Sequence, residues 1–261
     1  MCSMTFGPAT VPAGGGSRAI AVSSFAGATL DGTRLVIVGT SSSDDIKVHP
    51  GGGPQGIKVM MNGVQSTFTG VTEIVIFGND GDDLIRVVGG ITLPVFAFGG
   101  AGNDSISGGG GLNVLMGGDG DDLLVGGDGR NILIGGNGAD RIQGGGADDL
   151  LISGSTAFDF NFTALHLIQT EWSSASSFAD RVHHLDGTLS GGLNGSVKLL
   201  VSGVDATVFD DNSVDVLTGN GGNDWFLFNR SGSGVLDKAM DMSAFEGLYA
   251  EDLSRFGPYV G

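Results

Sequence analysis

The sequence predicts a mainly β solenoid, with irregular strands ahead of it and a small helical cover behind it. Three observations carry that prediction. Between Gly99 and Ile152 the chain repeats every nine residues, six times without a slip: GGAGNDSIS, GGGGLNVLM, GGDGDDLLV, GGDGRNILI, GGNGADRIQ and GGGADDLLI. A period this strict belongs to stacked repeat architectures. Residues 30–98 alternate β-like runs with turn signals, whereas 155–186 switches to the apolar spacing of a helix. Glycine supplies 50 of 261 residues, but it clusters in the repeat and has no three-residue period. Collagen and disordered linkers are thereby excluded.

Taken in chain order, residues 1–29 read as a flexible N-terminus. Its start, MCSMTFGPATVPAGGGSRAIAV, lacks the basic opening and continuous apolar core of a cleaved signal peptide. Cys2 is the single cysteine, so no internal disulfide can form. Residues 30–77 form an N-terminal β region in which LVIVGTSSSDDIKV (35–48) aligns with IVIFGNDGDDLIRV (74–87). Within it, IKVMMNGVQSTF reads as two strands joined by an Asn62-Gly63 turn.

Residues 78–152 form the regular coil. Side chains alternate along a strand, so the eighth residues of the nonads, Ile106, Leu115, Leu124, Leu133, Ile142 and Leu151, point inward. One outer face then carries Ser105, Ser107, Leu123, Val125, Arg141 and Gln143; the other carries Val114, Met116, Ile132, Ile134, Leu150 and Ile152. The second face is apolar throughout and needs a cover. Segment 153–195 is the expected cover, with Phe162, Leu165, Ile168 and Trp172 at helical spacing and a second short helix from Ser177 to Leu185. A protein or cell-surface partner is the alternative occupant. Residues 196–261 are expected to return to β runs in VKLLVSG and ATVFDD, with a degenerate repeat at 215–228. The flexible SGSG at 231–234 and a terminal amphipathic helix in VLDKAMDMSAFEGLYAEDLSRF follow.

The formal net charge of −17 repels nucleic acid and anionic lipid and attracts cations. No stretch reaches the roughly 18 apolar residues of a membrane span. From 78 to 152 the chain holds eleven Asp against three Arg, with no Glu or Lys, an excess that calls for a counter-ion. Calcium takes roughly six to eight oxygens. A glycine-rich turn can aim several carbonyls at one point while an aspartate adds charge, and two stacked turns must share each ion. Two nonads make one coil, so alternate turns fall on the same edge. One edge then carries Asp104, Asp122 and Asp140, extended by Asp83 if a bulge near 87–89 is absorbed; the opposite edge carries Asn113, Asn131 and Asp149.

The nonapeptide GGxGxDxUx, with U a large aliphatic residue, resembles the repeats-in-toxin (RTX, hemolysin-type) calcium-binding family. The match is close over 78–86 and 99–152 and loose over 39–47 and 210–227. The resemblance implies a right-handed parallel β-roll, in which six residues of each nonad turn and bind Ca²⁺ and three form a strand. The metal set it implies is Gly78, Asp80, Gly81, Asp83, Gly99, Gly100, Gly102, Asp104, Gly117, Gly118, Gly120, Asp122, Gly135, Gly136, Gly138, Asp140, Asp149 and Asp224. Several ions are expected: up to three between the four acidic turns, with weak or empty sites opposite. Asp80 lies outside the sixth position, as do Asp119, Asp121 and Asp128, for which the alternative is a solvated acid. Asp44 and Asp215 sit in glycine-poor turns and are expected to be structural; Asp224 has no evident stacked partner. The resemblance also implies export unfolded by a type I-like route without a signal peptide, and folding outside the cell in calcium.

No catalytic residue emerges. HExxH and GxSxG are absent, His49, His166 and His183-His184 lack metal-ligand spacing, and Asp210-Asp211 read as solvated acids. The expectation is therefore a secreted calcium-binding structural or binding module and not an enzyme. The alternative is a non-catalytic C-terminal portion of a larger secreted enzyme, toxin or surface adhesin.

Overall fold

The computed structural model describes residues 26–53, 55–231 and 235–253. The expected flexible N-terminus lies outside them except for residues 26–29, as do residues 232–234 of the SGSG segment. Strands β1 (Gly27–Asp31), β2 (Arg34–Val38), β3 (Asp45–Pro50), β4 (Ile57–Met61) and β5 (Val64–Phe68) open the chain. The coil follows as β6 (Glu73–Asp80), β7 (Leu84–Val87), β8 (Val95–Ala101), β9 (Ser105–Ser107), β10 (Asn113–Asp119), β11 (Leu123–Gly127), β12 (Asn131–Asn137), β13 (Arg141–Gly145) and β14 (Leu150–Ile152). An excursion contains β15 (Ser155–Thr156), α1 (Phe162–Trp172), α2 (Phe178–Asp186) and β16 (Val208–Phe209). The coil then resumes with β17 (Val216–Asn220), β18 (Trp225–Phe228), β19 (Lys238–Ala239) and β20 (Glu251–Asp252).

From β6 onward the coil strands alternate between two nine-stranded sheets, ordered β1-β2-β6-β8-β10-β12-β14-β18-β20 and β19-β17-β13-β11-β9-β7-β3-β4-β5, while β15 and β16 pair by themselves in the excursion. Within the repeat the strands are parallel and in nonad register, Leu115 opposite Leu133 and Leu124 opposite Ile142. This is the parallel β-roll that the resemblance implies. Pairing is continuous from the N-terminal strands into the repeat, since β6 pairs with both β2 and β8. At the N-terminal end both sheets finish in antiparallel hairpins, β1–β2 and β3–β4–β5, so no parallel strand is left as the sheet edge there. The β4–β5 turn is the expected one: Asn62 and Gly63 both have positive φ, 50° and 80°, as a two-residue hairpin of this twist requires.

The six eighth-position residues are fully buried between the sheets. They belong to one core with Leu35, Ile37, Ile74, Ile76, Leu217 and Phe226. The second core lies on the outer face of the β10 sheet. There Val114, Ile132, Ile134, Leu150 and Ile152 pack against Phe162, Leu165, Ile168 and Trp172 of α1 and Val182 and Leu185 of α2. The greasy face is thus covered from within. Both helices begin where the sequence supplies caps: Asn161 accepts from the Ala164 N–H and Ser177 from the Asp180 N–H, and Gly187 ends α2 in the left-handed region.

Two expectations are corrected. VKLLVSG forms no strand; its backbone bonds to the excursion instead, Leu199 N–H donating to the Leu185 carbonyl. The tail forms no amphipathic helix over its described residues. It holds two two-residue strands and a single 3-10 turn, Glu246–Leu248. The open end of the roll outcompetes helix propensity there. Lys238 and Ala239 pair with Val216 and Leu217, and Asp241 accepts the Gly219 and Asn220 N–H groups.

Candidate metal centre

Each full nonad turns sharply after its strand, and the sixth residue folds back under the turn. A Cβ on Gly117 would lie 2.1 Å from Asp122 Oδ2 and 2.5 Å from the Gly135 carbonyl oxygen. Only glycine fits the first position, because the carboxylate and the next coil's carbonyl already occupy the space.

These turns stack into a ladder of carboxylates. The Oδ1 of Asp83, Asp104, Asp122 and Asp140 accepts the backbone N–H of Asp44, Asp83, Asp104 and Asp122 respectively, at 2.7–2.8 Å. The bulge expected near 87–89 is absorbed, so Asp83 and Asp104 pair across 21 residues where the regular step is 18. The ladder then crosses the excursion: Asp140 N–H donates to Asp215 Oδ1, 75 residues on, and Asp215 N–H to Asp237 Oδ1. Asp44 closes the other end, its carboxylate accepting from Thr40 N–H and Asn62 Nδ2. Asp215, a sixth-position residue in sequence, stacks on Asp140 only through this crossing, and Asp237 joins the row with no repeat signal of its own.

The second oxygen of these aspartates has no donor. Oδ2 of Asp83, Asp104, Asp122, Asp140, Asp149 and Asp215 is buried without a hydrogen-bond partner. Burial, the largest cause, pushes the carboxyls up from 3.8, to about 6 for Asp83, about 7 for Asp122 and about 8 for Asp104 and Asp140. The backbone N–H bonds pull the other way, and neighbouring carboxylates add to the rise. Buried carboxylate oxygens set beside carbonyl oxygens, all acceptors, are the donor set of a hard cation. Among the described residues no three carboxylate, histidine or thiol groups gather as a metal site. The other oxygens beside this row are backbone carbonyls of the glycine turns, such as that of Gly135 near Asp122.

The opposite edge solves the same problem differently. Asn113 Nδ2 donates to the Gly126 carbonyl at 3.0 Å, lies 3.1 Å from the Gly109 and Gly111 carbonyls, and reaches Asn131 Oδ1 at 2.6 Å. Asn131 Nδ2 donates to Gly129 and to Asp149 Oδ1. On the acidic edge Asp122 Oδ2 faces the Gly135 carbonyl; here an amide donor faces the corresponding Gly126 carbonyl. The amide thus gives the turn carbonyl a donor of its own. Below it the row turns acidic again, as Asp149 N–H donates to Asp224 Oδ1 and Asp224 N–H to Glu246 Oε1. Asp224 therefore has partners on both sides, with burial pushing it up to about 7 and Asp149 to about 9. Asp80 stands apart, exposed at the end of β6 and outside both rows.

The excursion is fastened to this amide edge. Arg181 is 1% exposed, pairs with Asp148 and donates to the Trp172 carbonyl, its guanidinium 4.7 Å from the Trp172 ring centroid. Trp172 Nε1 donates to the Asp148 carbonyl, and Arg130 to that of Ser174.

A family model described as the RTX calcium-binding nonapeptide repeat (4 copies) matches residues 96–124, 125–156 and 206–230. Neither a curated protein nor a solved structure matches the chain. The last matched stretch contains the coil that resumes after the excursion, where β17 and β18 stack on β13 and β14. Over the matched residues the chain is similar to RTX calcium-binding nonapeptide repeats, and there it folds as a parallel β-roll.

Proposed function

We propose that this is a secreted β-roll whose folding and stability are driven by Ca²⁺ along the acidic edge, acting as a structural or binding module. The row of buried Oδ2 oxygens without donors carries this reading. Bound calcium supplies the positive charge that keeps such carboxylates ionised. Asp83, Asp104, Asp122 and Asp140 hold it, together with carbonyls of the turns built on Gly78, Gly81, Gly99, Gly100, Gly102, Gly117, Gly118, Gly120, Gly135, Gly136 and Gly138. Asp149 and Asp224 offer a second, smaller place on the other edge. Asn113 and Asn131 need no ion there, since their amides already meet the turn carbonyls. Secretion by a type I-like route belongs to the same proposal, supported by the repeat match and by an acid excess that repels itself until a cation arrives.

The test is a calcium titration followed by calorimetry and far-UV circular dichroism, with magnesium as comparator. Saturable binding with a gain of β signal is expected, reversed by chelator. A spectrum unchanged by chelator, with no binding heat, would refute the reading.

A further inference from the structure

Beside the helical cover, a cavity remains between the outer face of the β10 sheet and the excursion residues Thr156, Asp159, Phe160 and Phe209. The row Phe77, Phe98, Met116 and Ile134 runs across four paired strands. Two residues further along, the next row is Asn79, Gly100, Gly118 and Gly136. Three glycines in succession leave a floor without side chains. They cannot be filled: a Cβ on Gly118 would meet the Gly100 carbonyl oxygen at 2.0 Å. A cavity of about 510 Å³ opens over this floor, a volume typical of small-molecule sites. Phe77 and Phe98 wall one side, stacked with centroids 5.1 Å apart. Phe160, 67% exposed, contributes from the excursion. The charged residues lining the cavity are both acids, Asp119 and Asp159.

We propose that this trough binds a small organic cation carrying an apolar or aromatic stem. An anion would meet two carboxylates within the field of a chain of formal charge −17. A neutral apolar ligand would press those carboxylates against apolar surface with no counter-charge. An ammonium head avoids both costs: it lies on ring faces, which attract cations, within the field of Asp119 and Asp159. The stem covers Met116 and the glycine floor. Asp119 sits at the rim, its Oδ1 accepting from Asn137 Nδ2 at 2.7 Å. Asp159 is buried beside Thr156, which donates to it through N–H and Oγ1. The cavity shares Gly100, Gly118 and Gly136 with the proposed calcium turns, so the inference rests on the same roll and is read with those turns loaded.

The experiment titrates benzyltrimethylammonium into the calcium-loaded full chain, by calorimetry and ligand-observed NMR, beside benzyl alcohol and phenylacetate. Saturable one-to-one binding of the cation is expected. Benzyl alcohol should bind at least about fivefold more weakly, and phenylacetate not measurably. Phe160→Ala should weaken the cation about three- to fivefold and Asp119→Asn about twofold. Asp205→Asn, which removes an exposed acid outside the cavity, should leave it unchanged. Equal binding of all three probes overturns the proposal, as does the absence of saturable binding. Indifference to both Phe160→Ala and Asp119→Asn overturns it too, since binding would then reflect only the general field.

Discussion

Exchanging Asp122 for asparagine should change sign with calcium. Asp122 Oδ1 accepts the Asp104 N–H at 2.7 Å, and an isosteric amide keeps that bond. The difference lies at Oδ2, which is buried without a donor. Burial raises this carboxyl from 3.8 to about 7, which corresponds to about 4 kcal/mol of penalty in metal-free protein at neutral pH. The amide avoids that penalty but loses about 1–3 kcal/mol of its own hydration on burial. Its NH₂ faces the Gly135 carbonyl, as Asn113 Nδ2 faces that of Gly126. In chelator, Asp122→Asn should therefore stabilise the roll by about 1–3 kcal/mol, raising its thermal midpoint by about 3–8 °C and its residual β signal. In calcium the variant loses a charged ligand, so affinity should fall at least about tenfold. Asn131→Asp should do the reverse in chelator, because it removes the donors to Gly129 and Asp149. Circular dichroism melts with and without chelator, paired with calcium calorimetry, read both arms. If Asp122→Asn lowers stability equally in chelator and in calcium, the carboxylate row is a hydrogen-bond ladder only.

Three further outcomes follow from the same structure. In chelator, folded Asp104, Asp140 and Asp149 hold protons up to about 8–9, whereas unfolded aspartates release theirs near about 3.9. The folded state binds more protons across that window, so the contribution of these groups should be greatest at or below about pH 4 and be lost steadily as pH rises toward about 9, a trend that saturating calcium flattens. Gly117→Ala should cost about 3 kcal/mol or more in a denaturant titration, given the 2.1 Å approach to Asp122 Oδ2. Gly146→Ala, whose Cβ would meet nothing closer than 3.6 Å, should stay within about 0.5 kcal/mol. Trp172→Ala should cost about 3–5 kcal/mol and raise binding of a hydrophobic dye, because Trp172 is 1% exposed over the apolar face; unchanged dye binding would mean that the helices do not seal it.

Much of this was legible because it is local. The eighth-position aliphatics, the Asn62-Gly63 turn, and the two capped helices follow from periods and turn chemistry within about ten residues. The partition into an acidic edge and an amide edge was legible too, since the coil length fixes which turns superpose. What escaped depends on distant pairing. Asp215 stacks on Asp140 across 75 residues; its sixth position is visible locally, but its partner is not, because the excursion breaks the period. The tail misled because its acids at helical spacing serve the roll instead: Asp237 and Glu246 extend the two rows, and Asp241 accepts backbone N–H groups at the open end.

The excursion between β14 and β17 also bears on how the chain assembles. Within the repeat each rung closes a loop of 18 residues, but the rung from Asp140 to Asp215 closes one of 75. For a flexible chain that longer closure costs about 1.3 kcal/mol more entropy. The stacking of the late coil is therefore a separate, slower event than winding within the repeat. Docking α1 and α2 on the apolar sheet face first would bring Asp215 near Asp140 and shorten the search. In kinetic terms the helical cover is then a splint for the coil carrying Asp215 and Asp224, on which β19 and β20 stack in turn.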